Sequence, residues 1–183
     1  GLLLIDRTIG EGYHIIHYLG GKLGNRVYLA ENLRQPYQSP CIIKQIQPHT
    51  DAFINWKQAE QRFHRELQTL QKLGFHEQIP SIWDSFEENR EFYLVQEWID
   101  GENLQQKLEK SKRLNEAEVM QLLEEVLAIL AFIHQYQFIH CQIKPSNLIL
   151  RRSDRKYVLI GFDMVKNLTD LNSEITETKT YSS

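Results

Sequence analysis

The sequence has 183 residues, 42% of them hydrophobic, and a formal net charge of −3 at pH 7. This length and apolar content are sufficient for a buried core in one domain or two small lobes, and they argue against general disorder. The basic residues are scattered along the chain, which excludes the strongly positive surface typical of nucleic-acid binding. We therefore expect no nucleic-acid partner.

Cysteine usage and hydropathy bear on the compartment. The only cysteines are Cys41 and Cys141, each in an apolar stretch and far apart in sequence. This pattern is typical of a reducing compartment and predicts a cytoplasmic location. No apolar run is long enough to span a bilayer, and the apolar start Gly1–Ile5 is interrupted by Asp6 and Arg7. We expect neither a signal peptide nor a membrane segment in this chain.

Residues 1–99 are predicted to form a strand-rich lobe with one helix. Short runs of β-branched and aromatic residues, separated by Gly- and Pro-containing loops, predict an antiparallel meander. Apolar residues at three- and four-residue spacing predict a helix over Trp56–Leu73 that ends at Gly74. Its apolar face consists of Phe63, Leu67, Leu70 and Leu73. The predicted strands are Tyr13–Leu19, Arg26–Glu31, Cys41–Ile46, Ile82–Phe86 and Phe92–Glu97.

Residues 100–166 are predicted to form a second, mainly helical lobe, and residues 167–183 an irregular tail. The longest helix is predicted over Glu116–Gln135, with Asn115 as N-cap and Glu118 completing a capping box. Its broad apolar stripe consists of Val119, Leu122, Leu123, Val126, Leu130 and Ile133. A short helical segment at Asn103–Lys110 and strands at Leu148–Leu150 and Tyr157–Ile160 complete the lobe.

Several short motifs occur in a fixed order along the chain. They are the glycine turn in Leu19–Tyr28, Lys44 at a strand end, Glu66 on the following helix, Gln96–Gly101, His140–Asn147 and Ile160–Asp163. Each motif alone has a simpler explanation, such as a ligand-free hairpin or common surface residues. Taken in order, they resemble the protein kinase family of the eukaryotic Ser/Thr type, in its bacterial and especially cyanobacterial form. The resemblance implies an α+β fold with an antiparallel-sheet N-lobe and an incomplete, mainly helical C-lobe.

The resemblance also implies a site for ATP. Lys44 and Glu66 match the ion pair that aligns the phosphates, and Gln96 matches the gatekeeper. The residues placed by resemblance at the nucleotide are Gly20, Val27, Lys44, Glu66, Glu97, Ile99, Asn147 and Ile149. The glycine loop is degenerate, because Lys22 and Asn25 replace its other two glycines while Gly21 and Gly24 are displaced by one. Ile42 would narrow the pocket, and Val27, Ile42 and Ile149 are equally well explained as core residues.

The catalytic-loop segment departs from the family pattern. Gln142 stands where the family has its aspartate base, and an amide does not accept a proton from a hydroxyl as a carboxylate does. Cys141 replaces the arginine that pairs with a phosphorylated activation segment, so switching by loop phosphorylation is not expected. Lys144 and Asn147 are retained at the family's spacing. His140 matches a structural histidine beneath the loop.

The metal-binding segment departs as well. Gly161 replaces the metal-binding aspartate, and Asp163 lies two residues further on, about 6–7 Å away in an extended chain. Mg²⁺ binding is therefore doubtful, since Asn147 is the one possible protein ligand left by the resemblance. No zinc site is expected, because His14 and His17 lie three apart in a predicted strand and point to opposite faces.

These departures lead to a pseudokinase hypothesis: an inactive kinase-like module that serves interaction or regulation and retains weak ATP binding. One alternative is a divergent Ser/Thr protein kinase in which Asp163 or another acid supplies the lost function. Another is a purely structural fragment of a larger protein. In each case we expect a protein partner, or the remaining part of a larger polypeptide, to cover the incomplete C-lobe.

Overall fold

The computed structural model describes residues 3–22, 24–48, 53–111 and 113–170. The chain divides into two compact units. The first unit contains residues 1–75 and 80–98, and the second contains residues 76–79 and 99–183. Part of the predicted irregular tail, residues 171–183, lies outside the described residues.

The first unit contains a six-stranded antiparallel sheet in the order β1-β2-β3-β4-β6-β5. Its strands are rich in β-branched and aromatic residues, which suit a pleated, half-buried surface. The strands are β1 Thr8–Ile9, β2 Tyr13–Lys22, β3 Asn25–Asn32, β4 Pro40–Ile46, β5 Ile82–Glu88 and β6 Glu91–Glu97. The predicted meander is therefore correct, with each predicted strand one to three residues longer than expected and β1 added at the edge.

The hairpin between β2 and β3 depends on glycine. Gly21 has φ +140°, and a Cβ there would lie 2.0 Å from the Asn25 carbonyl oxygen. No side chain fits at that distance, so the two strands can approach closely only because residue 21 is glycine. Gly20 also has a positive φ of +111°, but no atom lies within 4 Å of its ideal Cβ position. The turn is thus built for close backbone approach at Gly21 and is open at Gly20.

The sheet has packed side chains on both of its faces. One face forms a core of aromatic and branched side chains that includes Tyr28, Ile43 and Val95. Against the other face packs α1, Phe53–Leu73, whose Phe63 joins Phe92 and Leu94 of β6 in a second cluster. The helical face predicted from spacing is confirmed, since Phe63, Leu70 and Leu73 are buried.

The described part of the second unit combines two α-helices and two 3-10 helices with short strands. A three-stranded sheet runs β10-β9-β7, and β8 pairs with β11. The elements are β7 Gly101–Asn103, α2 Leu104–Ser111, α3 Glu116–Gln135, β8 Phe138–Ile139, β9 Leu148–Arg151, β10 Tyr157–Leu159 and β11 Lys166–Asn167. Two one-turn 3-10 helices lie at Pro145–Asn147 and Phe162–Met164. None of the described helices is long and apolar enough to cross a membrane.

Helix α3 begins at the capping box that the sequence predicts. The Asn115 side chain accepts a hydrogen bond from the Glu118 N–H, and the Glu118 side chain accepts one from the Asn115 N–H. The predicted apolar stripe is buried in part: Ile133 is buried and Leu122, Val126 and Leu130 are half-buried, but Val119 and Leu123 are exposed. Ile129 and Ile133 are the fully buried residues of α3, whereas Met120, Leu123 and Leu127 are at least half exposed.

Two predicted segments are corrected. Asn103 was expected to begin a helix, but it ends β7, because its backbone pairs with Ile149. Asn167 was expected to begin the irregular tail, but it lies in β11 opposite Phe138. Both errors concern short strands of two or three residues, which are too brief to produce an alternating pattern.

Candidate functional site

A buried ion pair in the first unit joins Lys44 to Glu66. Strand β4 carries Lys44 and the fourth turn of α1 carries Glu66, and the Lys44 Nζ lies 2.5 Å from the Glu66 Oε1. The exposed fractions of the side chains are 16% and 4%. A carboxylate buried to this degree requires its cation, since an isolated buried charge is very costly. The pair is therefore a fixed feature of this unit.

Three of the residues placed at the nucleotide by resemblance form one row across the sheet. Val27 on β3 lies opposite Gly20 on β2 and opposite Lys44 on β4. Residues directly opposite each other in an antiparallel sheet project to the same face. Ile42 lies two residues from Lys44 and therefore shares this face as well. The row brings the glycine turn, an apolar side chain and the paired lysine together.

Strand β6 ends with two residues of the predicted hinge segment. Gln96 is buried, with 5% of its surface exposed, and lies opposite Ile42. Its Nε2 atom is buried and has no hydrogen-bond partner among the described residues. Glu97 is fixed to Ser81 twice, since its N–H donates to the Ser81 carbonyl and its carboxylate accepts from the Ser81 N–H. Gln96 thus offers an unused buried donor.

In the second unit, His140 holds the catalytic-loop segment from below. The Gln142 N–H donates to His140 Nδ1 at 3.1 Å, so the proton of a neutral ring is on Nε2. That nitrogen lies 2.9 Å from the Ile160 carbonyl oxygen, to which it donates. The ring meets Phe162 edge-on, with centroids 4.9 Å apart. The predicted structural role of His140 agrees with these contacts.

Asn147 ties the same loop together. Its Nδ2 donates to the Gln142 carbonyl at 2.9 Å, and its own N–H donates to the Lys144 carbonyl. The Ile160 N–H donates to the Asn147 carbonyl. Asn147 is buried, whereas Lys144 is exposed. The asparagine is therefore engaged in holding the loop through both its backbone and its side chain.

Gly161 stands directly against Asn147. It has φ +79°, and a Cβ there would lie 2.6 Å from the Cγ, Oδ1 and Nδ2 atoms of Asn147. A side chain at position 161 would have to displace the asparagine and adopt a left-handed backbone conformation. Asp163 follows within the 3-10 helix Phe162–Met164. Position 161 therefore has no carboxylate, and the Asn147 side chain occupies the space that a carboxylate there would need.

The site residues do not form a metal centre of the usual kind. Within the described ranges, no group of three or more His, Cys, Asp or Glu side chains is placed to hold a metal ion. Mg²⁺ prefers near-complete octahedral coordination by oxygen, and Asn147, whose Nδ2 donates to the Gln142 carbonyl, would offer it a single amide oxygen, Oδ1. The described residues of the second unit therefore do not fit this cation.

Two further residues of the predicted pocket lie in the second unit. Ile99 is buried. Ile149 on β9 is half-buried and lies between Val158 of β10 and Asn103 of β7. Both placements suit a core role as well as a ligand contact.

The two cysteines differ in environment. Cys41 is buried in the first unit, and burial raises the pKa of its thiol to about 11. Cys141 is exposed, next to Gln142, and has φ +68°. The left-handed backbone at Cys141 is uncommon for a non-glycine residue.

The sequence did not reveal that the Asn147 side chain fills the space beside Gly161. The available signal was the retention of Asn147 while Gln142 and Gly161 were both changed. Composition cannot show which atoms move into the space that a lost side chain leaves.

An antiparallel sheet with a strand lysine paired to a helix glutamate, together with a loop anchored by a buried histidine, is the construction of a protein kinase-type domain. The family model for the protein kinase domain matches residues 13–183. The chain therefore belongs to the protein kinase domain family, as its motifs predict.

Relatives from bacteria agree with this family. The chain is 41% identical to serine/threonine-protein kinase B of Synechocystis sp., over 86% of the chain and 28% of the relative. It is 36% identical to serine/threonine-protein kinase PknA of Nostoc sp., over 93% of the chain and 31% of the relative. It is 31% identical to the probable serine/threonine-protein kinase YbdM of Bacillus subtilis, over 91% of the chain and 65% of the relative. The chain thus spans about three tenths of the length of the two cyanobacterial proteins.

Proposed function

We propose that this chain is a pseudokinase module, which binds a nucleotide weakly and acts through protein interaction rather than phosphoryl transfer. The observation that carries the proposal is the contact between Gly161 and the Asn147 side chain. The metal-binding carboxylate is absent, and the place for it is filled. Gln142 adds a second loss, because its amide does not take a proton from a substrate hydroxyl. Each loss removes a group that the family uses to lower the barrier.

Nucleotide binding is supported by the first unit. The Lys44–Glu66 pair is formed and buried, so a lysine is held ready for phosphate oxygens. Gly20 and Val27 lie in the same cross-strand row as Lys44. The buried Nε2 of Gln96 lacks an acceptor among the described residues, and buried donors in proteins are nearly always satisfied. A bound adenine would supply such an acceptor. Glu97 is a further member of the proposed set in this unit, and Ile99, Asn147 and Ile149 belong to it by the family resemblance alone.

A second candidate function is phosphoryl transfer by a divergent Ser/Thr protein kinase. The observation in its favour is that the relatives bear the names of serine/threonine-protein kinases. In this version Asp163 would supply the missing carboxylate, although it stands two residues from the expected position. ATP would be the phosphate donor, with Mg²⁺ bound by a different set of oxygens.

One pair of measurements separates the two functions. Thermal unfolding of the purified chain is followed with ATP, with and without Mg²⁺, and transfer of radiolabel from γ-labelled ATP to a generic protein substrate is measured in parallel. The pseudokinase proposal expects ATP to raise the midpoint by several degrees, equally without Mg²⁺, and no transfer above background. Label transfer that is lost in Asp163→Asn would overturn it in favour of the kinase.

Variants assign the nucleotide site. Lys44→Arg keeps a cation beside Glu66 but changes its shape and reach, and should reduce the ATP-dependent shift. Lys57→Arg is the matched control, because Lys57 lies on the exposed side of α1 and pairs with Glu60 at 3.7 Å. Equal ATP shifts in the two variants would contradict a role for Lys44.

The exposed apolar row on α3 supports the interaction role. Met120, Leu123 and Leu127 are between 50% and 63% exposed, and residues three or four apart form one helical face. Neighbouring large apolar side chains in such a row are typical of covered surfaces. We propose that a protein partner, or a further part of a longer polypeptide, covers this face, and that the module works in the cytoplasm.

A further inference from the structure

Arg62 is a half-buried cation of the first unit that none of the motifs described above includes. It lies on α1 four residues before Glu66, so the two side chains share one face of the helix. Its Nη1 lies 3.4 Å from the Asn25 Oδ1 at the start of β3, and its Nη2 donates to the Gln47 carbonyl at 2.9 Å. The guanidinium is therefore held at the end of the sheet that carries the glycine turn.

The charge of Arg62 has no acidic partner in the described part of the chain. The nearest acid before it in α1, Glu60, pairs with Lys57, and the next acid after it, Glu66, pairs with Lys44. The hydrogen-bond partners of Arg62 are both neutral oxygens, and no described carboxylate lies within ion-pair distance of its guanidinium. Burial lowers the pKa of Arg62, as expected for a cation partly removed from water without an opposite charge.

The register of the sheet places Arg62 near Lys44. Asn25, which Arg62 contacts, lies two residues before Val27 on β3, and Val27 is directly opposite Lys44. Residues two apart on a strand project to the same face, and diagonal neighbours in an antiparallel pair are about 7–8 Å apart. Arg62 and Lys44 therefore lie on the same face of the sheet, close to the glycine turn.

The charges at this end of the sheet leave an excess of cations among the described residues. Lys22 lies opposite Asn25 and shares its face of the sheet. Glu91 of β6 reaches this region through the Gln47 side chain, whose Nε2 donates to it at 2.9 Å. The cations are Lys22, Lys44 and Arg62, and the carboxylates are Glu66 and Glu91. Three cations against two carboxylates raise the local concentration of anionic ligands.

The Arg62 guanidinium can bind an anion in addition to its present partners. A guanidinium carries five N–H donors, and the contacts with Asn25 and Gln47 use two of them. The contact with Asn25, at 3.4 Å, is longer than the usual range of about 2.7–3.2 Å, so an anionic oxygen can replace it readily. The shorter bond to the Gln47 carbonyl keeps the side chain in place. A planar guanidinium binds two phosphate oxygens side by side, and such charge-assisted bonds are stronger than neutral ones.

We propose that Arg62 binds phosphate oxygens of a nucleotide and, together with Lys44, neutralises phosphate charge that a divalent cation would otherwise neutralise. A nucleoside triphosphate without Mg²⁺ is a strong polyanion, and the described residues of the second unit do not fit Mg²⁺. Protein cations in the first unit would then stabilise the bound phosphates. The inference deepens the proposed nucleotide binding and rests on it. Binding of ATP to the original chain tests the proposed function, and the effect of changing Arg62 tests the inference.

Isothermal titration calorimetry of the purified chain tests the proposal. The ligands are ATP with EDTA, ATP with excess Mg²⁺, adenosine, and inorganic tripolyphosphate. The original chain should bind ATP at least as tightly with EDTA as with Mg²⁺, because Mg²⁺ reduces the phosphate charge that Arg62 and Lys44 recognise. Tripolyphosphate should bind more weakly than ATP, since it lacks the base and the ribose.

Two arginine-to-glutamine variants give a matched comparison. Arg62→Gln should weaken the binding of ATP with EDTA about tenfold, because it removes charge-assisted bonds to phosphate, and should leave adenosine binding unchanged. Arg65→Gln makes the same change of charge three residues further along α1, at an exposed position. It should change the affinity for ATP by less than about twofold, since an exposed charge is screened by salt.

A second pair of variants is isosteric and serves if Arg62→Gln fails to fold. Asn25→Asp keeps the acceptor of Arg62 but makes it a carboxylate, which competes with phosphate for the guanidinium. It should weaken ATP binding without loss of stability in urea unfolding. Asn32→Asp adds the same charge at the other end of β3 and keeps the acceptor of the Arg34 N–H, so the affinity for ATP should stay unchanged.

Each alternative result overturns the inference. Unchanged ATP binding in Arg62→Gln, or equal weakening in Arg62→Gln and Arg65→Gln, would remove a specific role for Arg62. Equal weakening of ATP and adenosine binding would make Arg62 a structural residue. Much tighter binding of ATP with Mg²⁺ than with EDTA would show that a metal ion neutralises the phosphates. Tripolyphosphate binding as tight as that of ATP would identify a free polyphosphate as the ligand. Absence of ATP binding to the original chain would overturn the proposed nucleotide binding as well.

Discussion

The Asn147 side chain occupies the space beside Gly161 in which a side chain would begin, with three of its atoms 2.6 Å from the ideal Cβ position. We therefore expect that Gly161→Asp does not restore a metal site. The new side chain must displace Asn147 and adopt φ near +79°, so the free energy of unfolding should fall by about 2–4 kcal/mol. Urea unfolding measures this loss, and ATP-dependent stabilisation is then compared with and without Mg²⁺.

Gly20→Ala is the control for that variant. Gly20 also has a positive φ, but no atom lies within 4 Å of its ideal Cβ position. An alanine there would therefore lower the stability only through the strain of a positive φ and not through a steric clash. The loss in Gly161→Asp should exceed the loss in Gly20→Ala. The contrary result would be a Gly161→Asp chain that keeps normal stability and gains Mg²⁺-dependent ATP binding. That result would show that the Asn147 side chain moves aside at little cost, and its contact with Gly161 would no longer support the pseudokinase proposal.

Removal of Lys44 should destabilise the first unit through Glu66. Lys44→Met leaves a carboxylate that is 4% exposed without its cation, and we expect a loss of about 3–5 kcal/mol in urea unfolding. The double variant Lys44→Met/Glu66→Leu removes both charges and should recover most of that loss. If the double variant is no more stable than Lys44→Met, packing rather than the unpaired charge explains the effect.

The α3 capping box provides a local stability prediction. Asn115→Ala removes the acceptor of the Glu118 N–H and should lower the free energy of unfolding by about 1 kcal/mol. Asn115→Ser keeps an acceptor at the N-cap and should stay within a few tenths of a kcal/mol of the original chain. Equal losses in both variants would mean that the cap hydrogen bond does not stabilise the helix start.

His76 should make stability depend on pH. Burial lowers its pKa, its Nδ1 accepts a hydrogen bond from the Gln78 N–H at 3.0 Å, and its ring contacts Phe132. The unfolded chain, with a histidine pKa of about 6.5, binds a proton at higher pH than the folded chain does. Stability is therefore fully present well above pH 6.5 and falls as the pH drops below it.

The measurement for His76 is urea unfolding at several pH values from about 8 to 5. The variant His76→Asn retains an acceptor but does not titrate, so its stability should decline less over this range than that of the original chain. An unchanged pH slope in His76→Asn would show that other groups cause the decline.

The exposed row on α3 predicts association without a role in folding. Leu123→Lys and Leu127→Lys change side chains that are 50% and 63% exposed, so each should alter the free energy of unfolding by less than about 0.5 kcal/mol. Light scattering at rising protein concentration should show weaker self-association in the double variant Leu123→Lys/Leu127→Lys than in the original chain. Ile133→Ala, at a buried position on the same helix, should instead cost about 2–5 kcal/mol. Unchanged light scattering in the double variant would mean that this apolar row does not mediate self-association.

Much of the fold follows from local patterns. The spacing of Phe63, Leu70 and Leu73 predicts α1 and its buried face, because a helix repeats every 3.6 residues. The capping box at Asn115 and Glu118 predicts the start of α3, since both groups are near in sequence. The family can also be predicted from the sequence, because several motifs occur in the order that is typical of it.

What the sequence could not supply depends on contacts between distant residues. The apolar stripe of α3 is equally consistent with a core face and an exposed one, and the outcome at Leu123 depends on which elements pack there. The strand at Asn167 exists through its pairing with Phe138, which no local pattern indicates. The filling of the space beside Gly161 by the Asn147 side chain is likewise a product of the folded chain.

The contrast between the two thiols provides a built-in reporter. Cys41 is buried with a pKa near 11, so it should resist maleimide reagents at neutral pH. Cys141 is exposed one residue from Gln142, so a fluorophore would attach there selectively in the natural sequence. Its emission would report directly on events at the loop, without engineered cysteines.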